Sequence, residues 1–184
     1  MVIIFIGPPG SGKGTQAQLL KDNSLPNLHL LTVSSLLKEK SDDGSVLGND
    51  IKKKMDNGDL IDDTIVISVL KEKVENLNNE EILIDGFPRS TVQAESLNDI
   101  FKNSSLSIIN FIVSDDQLLE RIKKRSLEES RPDDSFFEKR LDIYKKSHNE
   151  IINSLKNNFE VNDIDANNEI TLISQKIAEK IGLN

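Results

Sequence analysis

The first fifteen residues of the chain join an apolar run to a glycine-rich segment. Residues Val2 to Ile6 are all apolar and mostly β-branched, which is typical of a buried parallel strand. Gly7-Pro8-Pro9-Gly10-Ser11-Gly12-Lys13-Gly14-Thr15 comes next, and a helical pattern follows it. Glycines let backbone N–H groups approach an anion closely, and the start of a helix adds partial positive charge. This order of strand, glycine loop and helix predicts a loop that holds phosphate groups.

One position of the loop differs from the common phosphate-loop pattern. In that pattern Ser or Thr directly follows the lysine, and its hydroxyl meets Mg²⁺. Here Gly14 follows Lys13, and Thr15 comes one residue later. We expect Lys13 to reach the β- and γ-phosphates as a point charge and Thr15 to hydrogen-bond a phosphate. The metal must then depend on waters and on a carboxylate elsewhere in the chain.

The composition narrows the class of protein. A chain of 184 residues fits one domain, and the absence of Cys excludes disulfides, thiolate zinc sites and cysteine catalysis. The net charge of −8 argues against binding to nucleic acid or to anionic membranes through bulk charge. The sequence has no apolar stretch of membrane-spanning length and no basic region typical of a signal peptide. We therefore expect a cytoplasmic protein with no nucleic-acid or membrane partner.

Strand-like and helix-like patterns alternate along the chain, which predicts an α/β fold with a parallel sheet and helices on both faces. Strands are expected at Val2–Ile6, Leu28–Leu31, Ile82–Asp85, Leu106–Val113 and Glu160–Asp165. Helices are expected at Lys13–Lys21, Ser34–Lys40, Ser45–Asn57, Asp62–Asn76, Thr91–Phe101, Asp115–Arg125, Phe136–Asn158 and Glu169–Ile181. The helical segment 32–61 lies between two strands, and we expect it to project as a small lobe.

A second motif, Asp85-Gly86-Phe87-Pro88-Arg89, ends the apolar run that begins at Ile82. Parallel α/β sheets bind ligands at the carboxyl ends of their strands, so we expect Asp85 to orient waters on Mg²⁺. Arg89 offers a guanidinium fork suited to a phosphate. Gln93 lies four residues further on and carries the donor and acceptor needed to read a nucleobase edge.

A third set of residues consists of arginines late in the chain. Arg121 and Arg125 are four residues apart and share one helix face. Arg131 follows a short polar segment, and Arg140 lies on the next predicted helix. We expect these arginines to neutralise phosphoryl charge in a transition state, with Asp133 as a pairing partner.

In these motifs the chain resembles the nucleoside monophosphate kinases, and among them the adenylate kinases with a short lid. Gly7–Gln16 resembles the phosphate loop of the family, and Asp85–Arg89 resembles its second signature. The late arginines and Tyr144 resemble its arginine set and lid boundary. The resemblance covers nearly the whole chain. It implies a three-layer P-loop fold with a five-stranded parallel sheet, and one domain (1–184) with an acceptor lobe at about 32–61 and a lid at about 126–135.

The resemblance also implies a reaction in nucleotide biosynthesis: a monomer would transfer a phosphoryl group reversibly from ATP to AMP, with Mg²⁺, giving two ADP. The catalytic residues it implies are Lys13, Arg89, Arg121, Arg125, Arg131 and Arg140. The ATP-binding residues it implies are Gly10, Ser11, Gly12, Lys13, Gly14, Thr15, Arg121 and Arg125. The AMP-binding residues it implies are Thr32, Val33, Lys38, Ile61, Gly86, Arg89, Gln93, Arg131 and Arg140. Asp85 would hold the metal through water.

Three residues of the expected acceptor lobe differ from the family pattern. Val33 replaces a threonine that contacts the acceptor base, and Ser35 replaces an aspartate that helps organise the metal waters. Lys38 replaces an arginine on the acceptor phosphate; it keeps the charge but loses the bidentate fork. Gln93 favours AMP, whereas these differences leave two alternatives open. One is a UMP or CMP kinase, and the other is an ATP-binding sensor that transfers phosphate poorly.

Overall fold

In the computed structural model the described residues are 1–57, 59, 61–77, 80–102, 104–128 and 137–183, and the description of 125–128 covers the backbone only. The strands are β1 (Val2–Ile6), β2 (His29–Thr32), β3 (Ile82–Asp85), β4 (Leu106–Ile112) and β5 (Val161–Asp165). The helices are α1 (Lys13–Asn23), α2 (Val33–Ser41), α3 (Val46–Asn57), α4 (Asp63–Asn76), α5 (Thr91–Ile100), α6 (Asp115–Glu128), α7 (Phe137–Lys156) and α8 (Ile170–Lys180).

The strands form one parallel sheet of five in the order β2-β3-β1-β4-β5. Its register places Asp85, the last residue of β3, between Phe5 of β1 and Thr32 of β2. The carboxyl ends of these three strands consequently meet at one edge of the sheet. The glycine-rich loop leaves β1 at this same edge.

Alternation along β1 explains why helices cover both faces of the sheet. Successive side chains of a strand point to opposite faces, and every residue of β1 is buried. Ile4 lies in the apolar core that contains residues of α4, α5 and α7, whereas Ile3 and Phe5 lie in the core that contains residues of α1 and α8. Each fully buried side chain of this kind contributes roughly 1.5–3 kcal/mol. The predicted three-layer α/β fold is confirmed.

The predicted elements are also confirmed, with ends that lie within three residues of the observed ones; the largest difference is at α6, which ends at Glu128 instead of Arg125. The expected lid at about 126–135 lies for the most part outside the described residues. Among the helices that are described, none is long and apolar enough to cross a membrane.

Candidate active site

The loop between β1 and α1 depends on glycines with positive φ. Gly10 has φ 83° and Gly12 has φ 91°, values that side chains of L-residues rarely allow. Gly12 directly precedes α1, and Gly14 and Thr15 lie exposed in the first turn of that helix. Backbone N–H groups of a first helical turn have no partner within the helix. The loop and the helix start together offer an anion a set of donors.

The amine of Lys13 lies against this loop. Its Nζ donates to the carbonyl oxygen of Gly7 at 2.8 Å, to that of Pro8 at 2.9 Å and to Ser11 Oγ at 3.2 Å. The Ser11 side chain is buried, and its hydroxyl is one of the partners of Lys13. These three acceptors hold the ammonium group beside the predicted phosphate position.

The electrostatics of Lys13 show which distant residues the fold brings near it. Burial lowers the pKa of Lys13 from 10.5 to about 8; the negative charge of Asp85 opposes this decrease, and the positive charges of Arg89 and Arg140 add to it. These charges come from β3, the loop after it and the first turn of α7. The fold therefore brings three charges from positions 85, 89 and 140 near enough to Lys13 to change its pKa.

Arg121 approaches the same loop from α6. Its Nη1 donates to the Ser11 carbonyl at 3.3 Å, and its Nη2 donates to the Ala166 carbonyl at 2.6 Å. The predicted partner on this helix face, Arg125, has a described backbone but no described side chain, and Arg131 lies outside the described residues. The contact with Ala166 has no signal in the sequence, because any residue can supply a carbonyl.

The segment after β3 requires glycine at position 86. Gly86 has φ 87°, and a Cβ built on it would lie 2.8 Å from Arg89 Nη2. Arg89 Nε donates to the Gly86 carbonyl at 2.8 Å, so the guanidinium folds back over this residue. Without a side chain at position 86 the arginine can take that path.

Asp85 is the residue whose chemistry fits a metal. Mg²⁺ in nucleotide enzymes is held by one or two carboxylates together with waters and substrate phosphates. The Asp85 carboxylate is half-buried at the edge of the sheet. It lies near enough to Lys13 to oppose part of the decrease in the pKa of Lys13. This single hard oxygen donor beside the loop suits that mode of binding.

Gln93 is buried in the first turn of α5, where its amide has two protein partners. Its Oε1 accepts from the Arg89 backbone N–H at 2.7 Å, and its Nε2 donates to Asp63 Oδ1 at 2.6 Å. Ser90 caps α5 by accepting from the Gln93 backbone N–H at 3.1 Å, and its hydroxyl donates to Asp63 Oδ2 at 2.7 Å. The sequence Ser90-x-x-Gln93 is a capping-box pattern that could have predicted the cap. Nothing in the sequence indicated that Asp63, thirty residues earlier, would be a partner of Gln93.

The remaining predicted acceptor residues lie on the other side of β3. Thr32 caps α2 through Oγ1, which accepts from Ser35 N at 3.1 Å. The side chain of Val33 is buried in the apolar core, and Lys38 is exposed on α2. Ile61 is half-buried and packs against the same core as Val33. Thr32 is thus close to Asp85 in the sheet, whereas binding roles for Val33, Lys38 and Ile61 stay predictions.

The β1–α1 loop and the cations around it define a class of protein, the P-loop nucleotide-binding α/β enzymes. Comparison with known proteins identifies the family. A family model described as adenylate kinase matches residues 5–160, so the chain belongs to the adenylate kinase family and is an enzyme of the nucleoside monophosphate kinase class.

Similar curated proteins span most of the chain. It is 37% identical over 186 residues to an adenylate kinase of Prochlorococcus marinus strain NATL1A, with 98% of each chain covered. It is 36% identical over 137 residues to one of Leptospira biflexa serovar Patoc, with 72% of this chain and 73% of the relative covered. A third, from Synechococcus sp. strain CC9311, is 31% identical over 178 residues, with 95% of each chain covered.

Proposed function

We propose that this enzyme transfers the terminal phosphoryl group of ATP reversibly to AMP, with Mg²⁺, giving two ADP. The observation that carries the proposal is the group of charges around Lys13. Its pKa responds to Asp85, Arg89 and Arg140, which come from separate elements of the fold. The cations of such a group can hold two nucleotide phosphates and the phosphoryl group between them. The relatives named above are adenylate kinases, which supports AMP as the acceptor.

The proposed mechanism uses positioning and charge neutralisation. Phosphoryl transfer between nucleotides needs no covalent enzyme intermediate, and most of the decrease in the barrier comes from alignment and electrostatic stabilisation. Lys13 and the N–H groups of the loop would hold the β- and γ-phosphates of ATP. Arg121 and Arg125 would bind ATP from α6. Arg89 would hold the phosphate of AMP, and Arg131 and Arg140 would neutralise the charge of the group in transit.

The proposed metal acts through the Asp85 carboxylate. When bound, Mg²⁺ would supply positive charge to the ATP phosphates. Asp85 would hold waters of the ion, while Thr15 would hydrogen-bond a phosphate. The assignment of Asp85 is supported by its half-buried position beside Lys13.

We also propose an acceptor lobe at about 32–61 and a lid at about 126–135 within the single domain 1–184. Closure of both over the nucleotides would exclude water, so that ATP is not hydrolysed. The lobe is supported by the position of α2 and α3 between β2 and α4, outside the sheet. The monomeric state and the cytoplasmic location remain predictions.

One observation favours a second candidate, a UMP or CMP kinase. Val33, at the position expected to contact the acceptor base, is buried and has no hydroxyl to offer. The two candidates differ only in the base that the acceptor site reads. Gln93, with its donor and acceptor, supports AMP.

The test is the initial rate of phosphoryl transfer from Mg·ATP to AMP, UMP, CMP and GMP, measured in parallel. We expect rapid transfer to AMP alone. A preference for UMP or CMP would favour the second candidate, and no transfer to any acceptor, with ATP binding intact, would indicate a nucleotide sensor. Lys13→Ala is the negative control, and its transfer rate should fall at least about 100-fold while the fold is kept.

A further inference from the structure

The amide of Gln93 can take only one orientation in this structure. A carboxylate accepts hydrogen bonds and donates none, while a backbone N–H donates and accepts none. Asp63 Oδ1 therefore requires the amide nitrogen, and the Arg89 N–H requires the amide oxygen. Rotation of the amide by 180° would turn its oxygen toward the carboxylate and its NH₂ toward the N–H. Both contacts would be repulsive.

The carboxylate that imposes this orientation is itself held in place. Ser90 Oγ donates to Asp63 Oδ2 at 2.7 Å, so both oxygens of Asp63 are engaged. Asp63 is half-buried and is the first residue of α4, where the helix N-terminus favours a negative charge. Asp62, directly before it, is exposed and pairs with Lys54 at 2.5 Å. The two neighbouring aspartates thus have different surroundings.

The orientation matters because it decides where the remaining donor and the remaining acceptor of the Gln93 amide lie. Among the described residues, the two bonds use one N–H and one lone pair of Gln93, which leaves one N–H and one lone pair for a base. Adenine presents an acceptor at N1 and a donor at its 6-amino group. Hypoxanthine and guanine present the reverse, a donor at N1 and an acceptor at O6. One fixed amide can match only one of these patterns in a given base position.

We propose that Asp63 is a positioning residue that fixes the amide of Gln93 and so makes the acceptor site discriminate a 6-amino from a 6-oxo purine. The inference rests on the proposed function, in which Gln93 reads the base of AMP. In this role Asp63 would act on the base through Gln93. Its contribution is to make the rotated amide, which would suit a 6-oxo base, unfavourable.

The experiment compares AMP with IMP, since the two acceptors differ only at the edge in question. Asp63→Asn keeps the shape of the side chain, but its amide can donate as well as accept, so it tolerates either orientation of Gln93. We expect the ratio of kcat/KM for AMP to that for IMP to fall about tenfold, mainly through KM. The matched control, Asp62→Asn, should keep the wild-type ratio, and thermal unfolding checks that both variants fold.

A double mutant separates positioning from a structural role. In a Gln93→Leu background, which has no amide to orient, adding Asp63→Asn should leave the AMP to IMP ratio unchanged. If Asp63→Asn does not fold, Ser90→Ala takes its place, because it keeps the carboxylate and removes the bond to Asp63 Oδ2, together with the cap of α5. We expect a smaller decrease of the ratio in the same direction.

The outcomes distinguish this inference from the proposed function. A wild-type ratio in Asp63→Asn, with Gln93→Leu showing a decreased one, would overturn the role of Asp63 and leave AMP as the acceptor. If the wild-type enzyme prefers a pyrimidine, the proposed acceptor is wrong, and the same comparison is made with CMP and UMP. Cytosine presents an acceptor at N3 and a donor at its 4-amino group, whereas uracil presents a donor at N3 and an acceptor at O4. An unchanged CMP to UMP ratio in Asp63→Asn would then overturn the inference as well.

Discussion

At the residue scale, Lys13 gives the site its most direct dependence on pH. Burial lowers the pKa of Lys13 to about 8, so the free enzyme loses this positive charge as the pH rises through that value. Phosphates bind the protonated amine. We therefore expect kcat/KM for ATP to decrease above pH 8, by up to about tenfold for each pH unit. At saturating ATP the decrease should be weaker, because bound phosphates favour the charged form.

The measurement is a profile of kcat/KM and of kcat from about pH 6.5 to 9.5 at constant free Mg²⁺. Lys13→Arg is the informative variant, since an arginine stays charged over this range. Its rates are expected to be low but to lack the alkaline decrease. A wild-type profile that stays flat to the upper limit would show that Lys13 does not control binding in the free enzyme.

Lys38 supports a second prediction at the residue scale. If it lies on the phosphate of AMP, Lys38→Arg restores a bidentate fork and should lower the KM for AMP about two- to fivefold, with the KM for ATP unchanged. Lys40→Arg is the matched control on the same helix, because Lys40 already pairs with Asp43 and Glu72. Initial rates at varied AMP give both constants. An unchanged KM in Lys38→Arg would argue against a phosphate contact at this position.

At the element scale, the packing of α3 against α2 depends on a glycine inside a helix. Gly48 is buried in α3, and a Cβ there would meet the Lys40 carbonyl oxygen and lie 2.5 Å from Asp43 Oδ1. Gly48→Ala should therefore lower the free energy of unfolding by about 1–3 kcal/mol, although alanine is the better helix former. Only the close contact between the two helices makes the substitution unfavourable.

Urea unfolding measures this effect, with the exposed neighbour substitution Asn49→Ala as the control. Asn49→Ala is expected to change the free energy of unfolding by less than about 0.5 kcal/mol. Should Gly48→Ala prove as stable as the wild type, α2 and α3 would have to be further apart than the structure shows.

At the scale of the whole molecule, His148 links stability to acid. Its ring stacks on Tyr144 with centroids 4.6 Å apart, and its Nδ1 is buried without a partner among the described residues. Burial lowers the pKa of His148 below 6.5; the Asp163 carboxylate opposes this decrease and Lys156 adds to it. The fold favours the neutral ring. The contribution of His148 to stability should therefore be constant above about pH 6.5 and should decrease as the pH falls below that value.

Thermal unfolding of the wild type and of His148→Gln between about pH 5 and 7.5 tests this linkage. In His148→Gln the decrease of stability toward acid pH should be smaller than in the wild type. His29→Gln, which removes the other histidine of the chain, should keep it. If both variants lose the same amount, the acid dependence arises elsewhere in the molecule.

The elements that the sequence predicted well are those with a strong local signal. The uninterrupted apolar run of β1 and the glycines after it predict a strand and a loop from a few consecutive residues. Asp85 and Arg89 were also predicted from a local signal, because Asp85 ends an apolar strand and Arg89 lies in the segment after it. The contacts of Asp63 with Gln93 and of Arg121 with Ala166 were not found. They join residues 30 and 45 positions apart, and only the packing of separate elements creates them.

By itself the sequence determined the α/β class, the positions of the strands and helices, the glycine-rich loop after β1 and the family to which the chain belongs. These depend on apolar periodicity and on backbone freedom at glycine, which act over a few residues. The tertiary structure alone decided which charges lie around Lys13, why position 48 has no side chain and which way the amide of Gln93 points. These properties depend on distances between separate elements, and burial and charge act through space instead of along the chain.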